Sequence, residues 1–241
     1  MKIFVIHAKK FQDRKKHIDR MLGALGLDAE YMCEGDVEEL TSEVLHRYFN
    51  DNEITKGIRM SDPSRFSSCT LKHLLVYEKM MEEKLDGALV LEDDMVLDKK
   101  FCERFSRSIH EYERDYREKN VLISYEDTRL RFVPRSKRVK GKHLYAGDRD
   151  RMAGAYFING NAARAIIDEV RKNKCHVPID LFHRHLLEKG KLTYLWCQPT
   201  IASQGSHNGL FESSINLKQI HLKKYLWMFK LTYKKLLYEL R

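Results

Sequence analysis

The run Ala88-Leu89-Val90-Leu91-Glu92-Asp93-Asp94 constrains this chain more than any other stretch. Four apolar residues pass directly into three adjacent carboxylates, and the turn-prone pair Asp86-Gly87 precedes them. An apolar run of that length, entered from a turn, reads as a buried strand. Its carboxyl end would lie at the rim of an α/β sheet, where such folds bind their ligands. Three adjacent anions repel one another, and holding them at a partly buried edge calls for a counter-charge. A hard divalent cation supplies that charge through oxygen ligands and commonly arrives with a phosphate. A solvated strand-to-loop turn would carry the same residues, so the run alone leaves both readings open.

The 241 residues suit one large α/β domain better than two small ones. A hydrophobic content of 43% with four prolines describes a globular chain. The net charge of +9 points to an anionic partner, whether nucleic acid, a membrane surface, or a phosphorylated or acidic small molecule. Cys33, Cys69, Cys102, Cys175 and Cys197 form no C-x-x-C pair and are odd in number, which argues against a disulfide framework or zinc cage and for a reducing compartment. The opening Met1-Lys2-Ile3-Phe4-Val5-Ile6-His7 is too short an apolar run for a signal peptide. No uncharged run approaches the ~20 residues of a membrane span. A cytoplasmic, non-spanning chain is expected.

Ile3 to Ile6 reads as a strand, and Phe11 to Leu25 as a helix that Gly26 stops. A strand leading into a helix opens a nucleotide-binding α/β unit. Arg14, just inside that helix, is placed to meet a phosphate or base, although a solvated helix arginine would look the same. Ser67 to Leu85 reads as a helix with Cys69, His73, Val76 and Met80 on one stripe, where a histidine is ordinarily a core residue. Phe101 to Tyr116 is a further helix and Val121-Leu122-Ile123 a strand. Arg131 to Lys142 is basic without an acid and reads as an exposed loop or hairpin. Gly154 to Ile158 is a strand, Asn159-Gly160 a turn and Ala162 to Val170 a helix. Pro178 and Asp180 mark the start of another helix, one by its fixed backbone and the other by its charge. Leu192 to Trp196 is the last clear strand. The reading is one domain with a tail, divided as 1–215 and 216–241.

Several of these segments, in order, resemble glycosyltransferase family 25, the lipooligosaccharide-type transferases related to collagen galactosyltransferases. Ile3-Phe4-Val5-Ile6 followed by Asp13-Arg14 is similar to the family's opening strand and acidic-arginine pair. Ser68-Cys69-Thr70-Leu71-Lys72-His73 resembles its Gly-Cys-x-x-Ser-His helix, and Leu91-Glu92-Asp93-Asp94 matches its Leu-Glu-Asp-Asp signature. Ala155-Tyr156-Phe157-Ile158 with Ala162, Pro178-Ile179-Asp180, and Gln204 with Ser213-Ser214-Ile215 resemble three later segments. Ser68, Lys72 and Asn159 depart from the pattern. Lys72 would set a lysine beside the donor site, where it would bear on sugar or acceptor choice.

The resemblance implies a GT-A-like α/β domain, with a mixed, mostly parallel central sheet flanked by helices and a C-terminal amphipathic helix. It also implies a nucleotide-sugar donor, UDP-galactose above all, and inversion at the anomeric carbon. A divalent metal would neutralise the charge left on the departing diphosphate. Alternation along a strand would put Glu92 and Asp94 on one face and Asp93 on the other. Asp94 is expected as the direct metal ligand with Glu92 beside it in the metal site, and Glu92 or Asp93 on the ribose or a metal-bound water. His207 is expected to complete the shell of Mn²⁺, which accepts imidazole as well as oxygen, or of Mg²⁺. Arg14 and His73 would lie on the donor side. Asp180 is the candidate base for the acceptor hydroxyl, although capping its helix would equally explain an Asp there.

Leu222, Leu226, Phe229, Tyr233, Leu236 and Leu240 recur at spacings of four and three, one face of a helix. Lys223, Lys224, Lys230, Lys234, Lys235 and Arg241 fall on the other face with Trp227 and Tyr238. Such a helix suits the surface of an anionic bilayer, and a lipid-linked glycan acceptor would explain it. It would place the protein peripherally on the inner face of the cell membrane. A helix packed on the domain or on a partner chain is the alternative. Two other functions compete. A metal-dependent phosphohydrolase would need a second acidic cluster, which is not evident, and a nucleic-acid-binding module would need a recognised motif, which is missing.

Overall fold

The computed structural model describes residues 1–52, 57–208, 210–211 and 220–241, with 207–208 and 220–224 described through their backbone only. Along the chain lie β1 (Lys2–Ile6), α1 (Gln12–Ala24), β2 (Glu30–Met32), α2 (Ser42–Tyr48), α3 (Arg65–Glu82), β3 (Gly87–Glu92), β4 (Met95–Leu97), α4 (Phe101–Asp115) and β5 (Val121–Ser124). There follow β6 (Leu144–Ala146), β7 (Ala155–Asn159), α5 (Gly160–Asn173), α6 (Ile179–Glu188), β8 (Thr193–Cys197), β9 (Ala202–Gln204), α7 (Gly205–Asn208) and α8 (Ile220–Leu240). The expected elements are present, with ends shifted by a few residues. The expected turn at Asn159-Gly160 differs. Asn159 ends β7 and caps α5, its Oδ1 accepting from Ala162 N at 2.9 Å and from Val121 N at 3.0 Å.

Seven strands form one sheet in the order β2-β1-β3-β7-β5-β8-β6, and β4 pairs with β9 beside it. β1, β2, β3, β5 and β8 run one way, and β7 and β6 run against them. This is the mixed, mostly parallel sheet expected. Alternate strand residues feed two cores. Phe4, Val90, Leu122 and Ile158 pack with Leu74 and Tyr77 of α3, Ile166 of α5 and Phe182 of α6. Val5, Leu91, Ile123 and Phe157 pack with Ile18 and Leu22 of α1 and Ile109 of α4 on the opposite face. Because β1 has β2 on one side and β3 on the other, a crevice forms at the carboxyl ends of β1 and β3, where α/β sheets take ligands.

Lys72 does not reach the donor side as expected. Its side chain is buried within α3's inner face, and its Nζ donates to His7 O at 2.9 Å and Cys33 O at 2.8 Å. Asp36 lies 2.9 Å away as its counter-ion. The lysine thus ties the segments that leave β1 and β2 to α3. The basic run 131–142 is not a hairpin: Arg135–Lys137 forms a 3₁₀ turn, Phe132 and Val133 are buried, and Arg131 pairs with Asp150.

The C-terminal helix α8 is present, and its orientation bears on how the tail packs. The stripe Leu226, Phe229, Tyr233, Leu236 and Leu240 is exposed, so this face does not close the core. The opposite face rests on the domain: Lys235 lies 3.6 Å from Asp127, Tyr238 meets Phe132 edge-on, and Arg138 pairs with Glu239. The side chains of Leu222, Lys223 and Lys224, and the whole of residues 212–219 with the 215/216 boundary, fall outside the description. Lys72→Met should cost about 3–5 kcal/mol, because it strands the buried Asp36 and two carbonyls. Urea unfolding of the variant against the natural chain measures the loss, and a change under about 1 kcal/mol would show the tie to be dispensable.

Candidate active site

The three carboxylates at the end of β3 point three ways. Asp93 N donates to Ile6 O at 3.1 Å, but β3 ends at Glu92, and Asp93 and Asp94 form a turn. The strict alternation expected of Glu92 and Asp94 therefore fails, and Arg14 reaches both aspartates. Its Nη1 lies 3.3 Å from Asp93 Oδ1 and 4.0 Å from Asp94 Oδ2. Arg14 is no solvated helix residue. It is held between Phe11, at 4.5 Å from the ring centroid, and Phe211, at 5.8 Å. The other oxygen of Asp93 meets His7 Nδ1 at 2.8 Å, in a buried pair at the end of β1.

Glu92 faces α3 and the late loop. Its Oε1 stands 3.7 Å from both Cys69 Sγ and His73 Nε2, and its Oε2 accepts from Gln204 Nε2 at 2.8 Å. Asp94 is buried. Its Oδ2 accepts from Ser206 N at 3.3 Å and its Oδ1 has no hydrogen-bond partner. Burial, then the charge of Glu92, push its carboxyl up to about 6 against the pull of Arg14. The pairing of β4 with β9 brings the late loop here, and Gly205 N donates to Asp94 O at 2.7 Å. A Cβ at Gly205 would stand 2.7 Å from that carbonyl oxygen, so only glycine permits the approach. His207 follows within α7, but its side chain lies outside the description.

Asp180 lies in the first turn of α6 and is largely buried. It accepts from Arg129 Nη2 at 3.1 Å, and burial raises its carboxyl above the ordinary range. The turn that carries Asp180 is docked on α3, next to Cys69 in sequence, through Ile179 N and Thr70 Oγ1. Asp180 does not cap α6 with its side chain: Pro178 holds the cap position, and Thr70 Oγ1 of α3 accepts from Ile179 N at 3.1 Å.

A second acidic group, not evident from the sequence, sits at the same sheet edge. Glu126 and Asp127 follow β5, and Asp150 lies 3.6 Å from Arg129 and 3.4 Å from Arg131. Glu126 is fully buried, accepts from Gly154 N at 2.7 Å and Ala155 N at 3.3 Å, and takes the Thr128 hydroxyl. Burial, together with the charge of Glu92, pushes it up to about 8. Arg151 is also fully buried, donating to Cys197 O at 2.9 Å and lying 4.6 Å from the Trp196 ring. The signal for Glu126 was Val121-Leu122-Ile123-Ser124-Tyr125-Glu126-Asp127, an apolar run ending in acids like that of β3. Asp150 and Arg151 belong to no such pattern.

A fold whose parallel strands end in such a set of acids, with an arginine clasped between aromatic rings, belongs to the α/β class that takes ligands at a strand-end crevice. The family model of glycosyltransferase family 25 (LPS biosynthesis protein) matches residues 1–183, and the chain belongs to that family. A Drosophila melanogaster protein named as a glycosyltransferase 25 family member is 25% identical over 121 residues, 46% of this chain. The match spans 18% of that relative's length. Among solved structures, a glycosyltransferase involved in glycosylation of the major capsid of PBCV-1 aligns over 93% of this chain and 98% of its own, at 8% identity and a TM-score of 0.42. The inositol-1-phosphate CTP transferase from T. maritima aligns over 96% and 78%, at 10% identity and a TM-score of 0.36.

Glu126 binds its proton more tightly in the folded chain than in the unfolded one, where its value is near 4.5. Its contribution to stability is therefore full at low pH and is lost as pH rises from about 5 through 8. Glu126→Gln keeps the acceptor for Gly154 and Ala155 without a charge. The variant should melt higher than the natural chain at pH 8 and equal it near pH 5. Melting curves over that range read the difference, and an equal offset at both ends would remove Glu126 titration as its cause.

Proposed function

We propose that this chain is a metal-dependent, inverting glycosyltransferase. It would move a hexose, galactose as the family resemblance implies, from a UDP-linked donor to a glycan acceptor of lipooligosaccharide or another surface polysaccharide. The observation that carries the reading is Asp94: a buried carboxylate with one unpartnered oxygen and a raised pKa, at the strand-end crevice beside Arg14. Its charged neighbour Arg14 stands 4.0 Å away and is shared with Asp93, so the unpartnered oxygen fits a divalent cation. Asp94 is the residue that would hold Mn²⁺ or Mg²⁺, with His207 as a further ligand. Glu92, expected beside it, has its oxygens turned to Cys69, His73 and Gln204. When bound, the ion would offset charge that builds on the diphosphate as the sugar leaves.

The chain's own groups divide the remaining work. Arg14, braced by Phe11 and Phe211 and anchored by Asp93, presents positive charge where the diphosphate would lie. Asp93 then orients Arg14, since its oxygens are taken by His7 and Arg14. Asp180 accepts the acceptor hydroxyl's proton. Its raised pKa makes it a better base than an exposed aspartate, and Arg129 orients the carboxylate.

Thermal-shift titration with nucleotide sugars, with and without Mn²⁺, tests the assignment directly. UDP-galactose should raise the melting temperature only with the ion, and Asp94→Ala should abolish that response and transfer together. Asp180→Asn should keep the shift and lower kcat by 100-fold or more. Undiminished transfer in excess EDTA, or in a folded Asp94→Ala protein, would sink the metal assignment.

The tail supports a lipid-linked acceptor. Its apolar stripe is exposed, and Lys230 and Lys234 are exposed too, so the helix could lie on an anionic bilayer at the inner face of the cell membrane. No helix among the described residues is long and apolar enough to cross a membrane. Lys230→Gln with Lys234→Gln should weaken sedimentation with anionic vesicles several-fold and leave transfer to a short soluble acceptor intact. Added salt should weaken the binding of the natural chain as well. A full-length protein that ignores such vesicles would overturn this placement.

A further inference from the structure

The helix α3 presents Cys69 and His73 four residues apart, hence one turn apart on the same face. Both aim at Glu92. Cys69 Sγ and His73 Nε2 each lie 3.7 Å from Glu92 Oε1, and the three ligand atoms fall within 4.8 Å of one another. Around a tetrahedral ion with bonds of about 2.0–2.3 Å, neighbouring ligand atoms stand roughly 3.3–3.8 Å apart. The two separations from Glu92 Oε1 match that spacing, and all three atoms are close enough to share one cation.

His73 supplies a second, independent observation. Its ring is fully buried, yet Nε2 has no hydrogen-bond partner. Its Nδ1 is committed to a buried chain: 2.7 Å to Tyr156 Oη, then 2.5 Å to Tyr77 Oη, then 2.8 Å to His183 Nε2. When His183 Nε2 accepts from Tyr77, each hydroxyl donates one step along and Tyr156 accepts from His73 Nδ1–H. That polarity leaves a lone pair on His73 Nε2, aimed at the cluster. A metal-bound imidazole ordinarily donates its other ring N–H to an acceptor that fixes its tautomer, a part that Tyr156 Oη can fill here. Glu92 is held in turn through Gln204 on its other oxygen.

We propose that Cys69, His73 and Glu92 bind a borderline-soft divalent cation, Zn²⁺ in particular, in a three-ligand site of their own. Thiolate and imidazole select zinc over the hard ions that all-oxygen sites prefer. On binding, the Cys69 S–H bond breaks, its proton leaves to solvent, and the sulfur electron pair forms the bond to the metal. Cys69 and Glu92 are each partly exposed, which gives the ion a way in. A fourth position is left for water. Since Glu92 lies two residues before Asp94, the site adjoins the proposed donor metal, but it uses sulfur and nitrogen where Asp94 offers oxygen alone.

Cobalt(II) reports the difference, because a thiolate bond gives an intense near-ultraviolet charge-transfer band that oxygen ligands do not. Full-length protein stripped with chelator and titrated with Co²⁺ should develop this band at one equivalent, and Zn²⁺ should displace it. Cys69→Ser should abolish the band, His73→Ala should weaken binding at least tenfold, and Asp94→Asn should leave the band in place. As a check independent of any variant's folding, Zn²⁺ should slow alkylation of Cys69 in the natural chain at least tenfold while exposed Cys102 reacts unchanged. No band in the natural chain, a band that persists in Cys69→Ser, or unaltered alkylation of Cys69 would overturn the proposal. None of these readouts depends on sugar transfer, so the failure of either reading leaves the other standing.

Discussion

Three consecutive carboxylates can be held at the end of one strand only if they are parted, and the site follows from how this chain parts them. Glu92 is turned toward α3 and the late loop, and Asp93 toward His7 and Arg14. Asp94 lies beneath Ser206, with one oxygen left over. Ending β3 at Glu92 is what makes the separation possible, because a further strand residue would have returned Asp94 to the face of Glu92. The same turn presents Asp94 O to Gly205 N, so parting the acids also docks the loop that carries Gln204 and His207.

Two of these partners come from α3, which joins parts of the molecule that no strand connects. Lys72 ties the exits of β1 and β2, Thr70 accepts the amide that opens α6, and Cys69 and His73 face Glu92. Tyr77 reaches His183, three residues beyond Asp180. The position of the proposed base therefore depends on the same helix that orders the end of β3. A buried lysine in α3 is costly unless each of its donors is used, and the two carbonyls with Asp36 use them.

How much of this was legible depended on whether a residue belonged to a periodic pattern. β3 and its acids stood out because an uninterrupted apolar run has few other interpretations. Asp180 drew attention through its motif and its helix start, and the turn that carries it docks on α3. Arg14 was located but not its environment, since Phe211 comes from a segment nearly two hundred residues away in sequence. Glu126 escaped because Ser124 and Tyr125 interrupt the apolar run, yet both are fully buried and the strand's direction carries through them. Asp150 and Arg151 sit in irregular chain between β6 and β7, where no spacing marks a buried charge. For Lys72, sequence places it on the helix that bears Cys69 and His73, but its long side chain is taken by His7 O, Cys33 O and Asp36, contacts distant in sequence that no spacing marks.

The tail shows where amphipathic pattern stops being informative. A helix with an apolar stripe packs that stripe on its own domain in most proteins, because burial of apolar surface is the larger driving force. Here the domain offers α8 an acid at Asp127, a base at Arg138 and the edge of Phe132, which suit Lys235, Glu239 and Tyr238. The polar face is thereby satisfied at the surface and the apolar stripe is turned outward. An ion pair of this kind is worth little where water reaches it, so the contacts orient the helix more than they fasten it. Asp127 is the immediate neighbour of Glu126 at the end of β5, on the same sheet edge as Glu92. The contacts that orient α8 thus come from the side of the molecule that holds the strand-end acids.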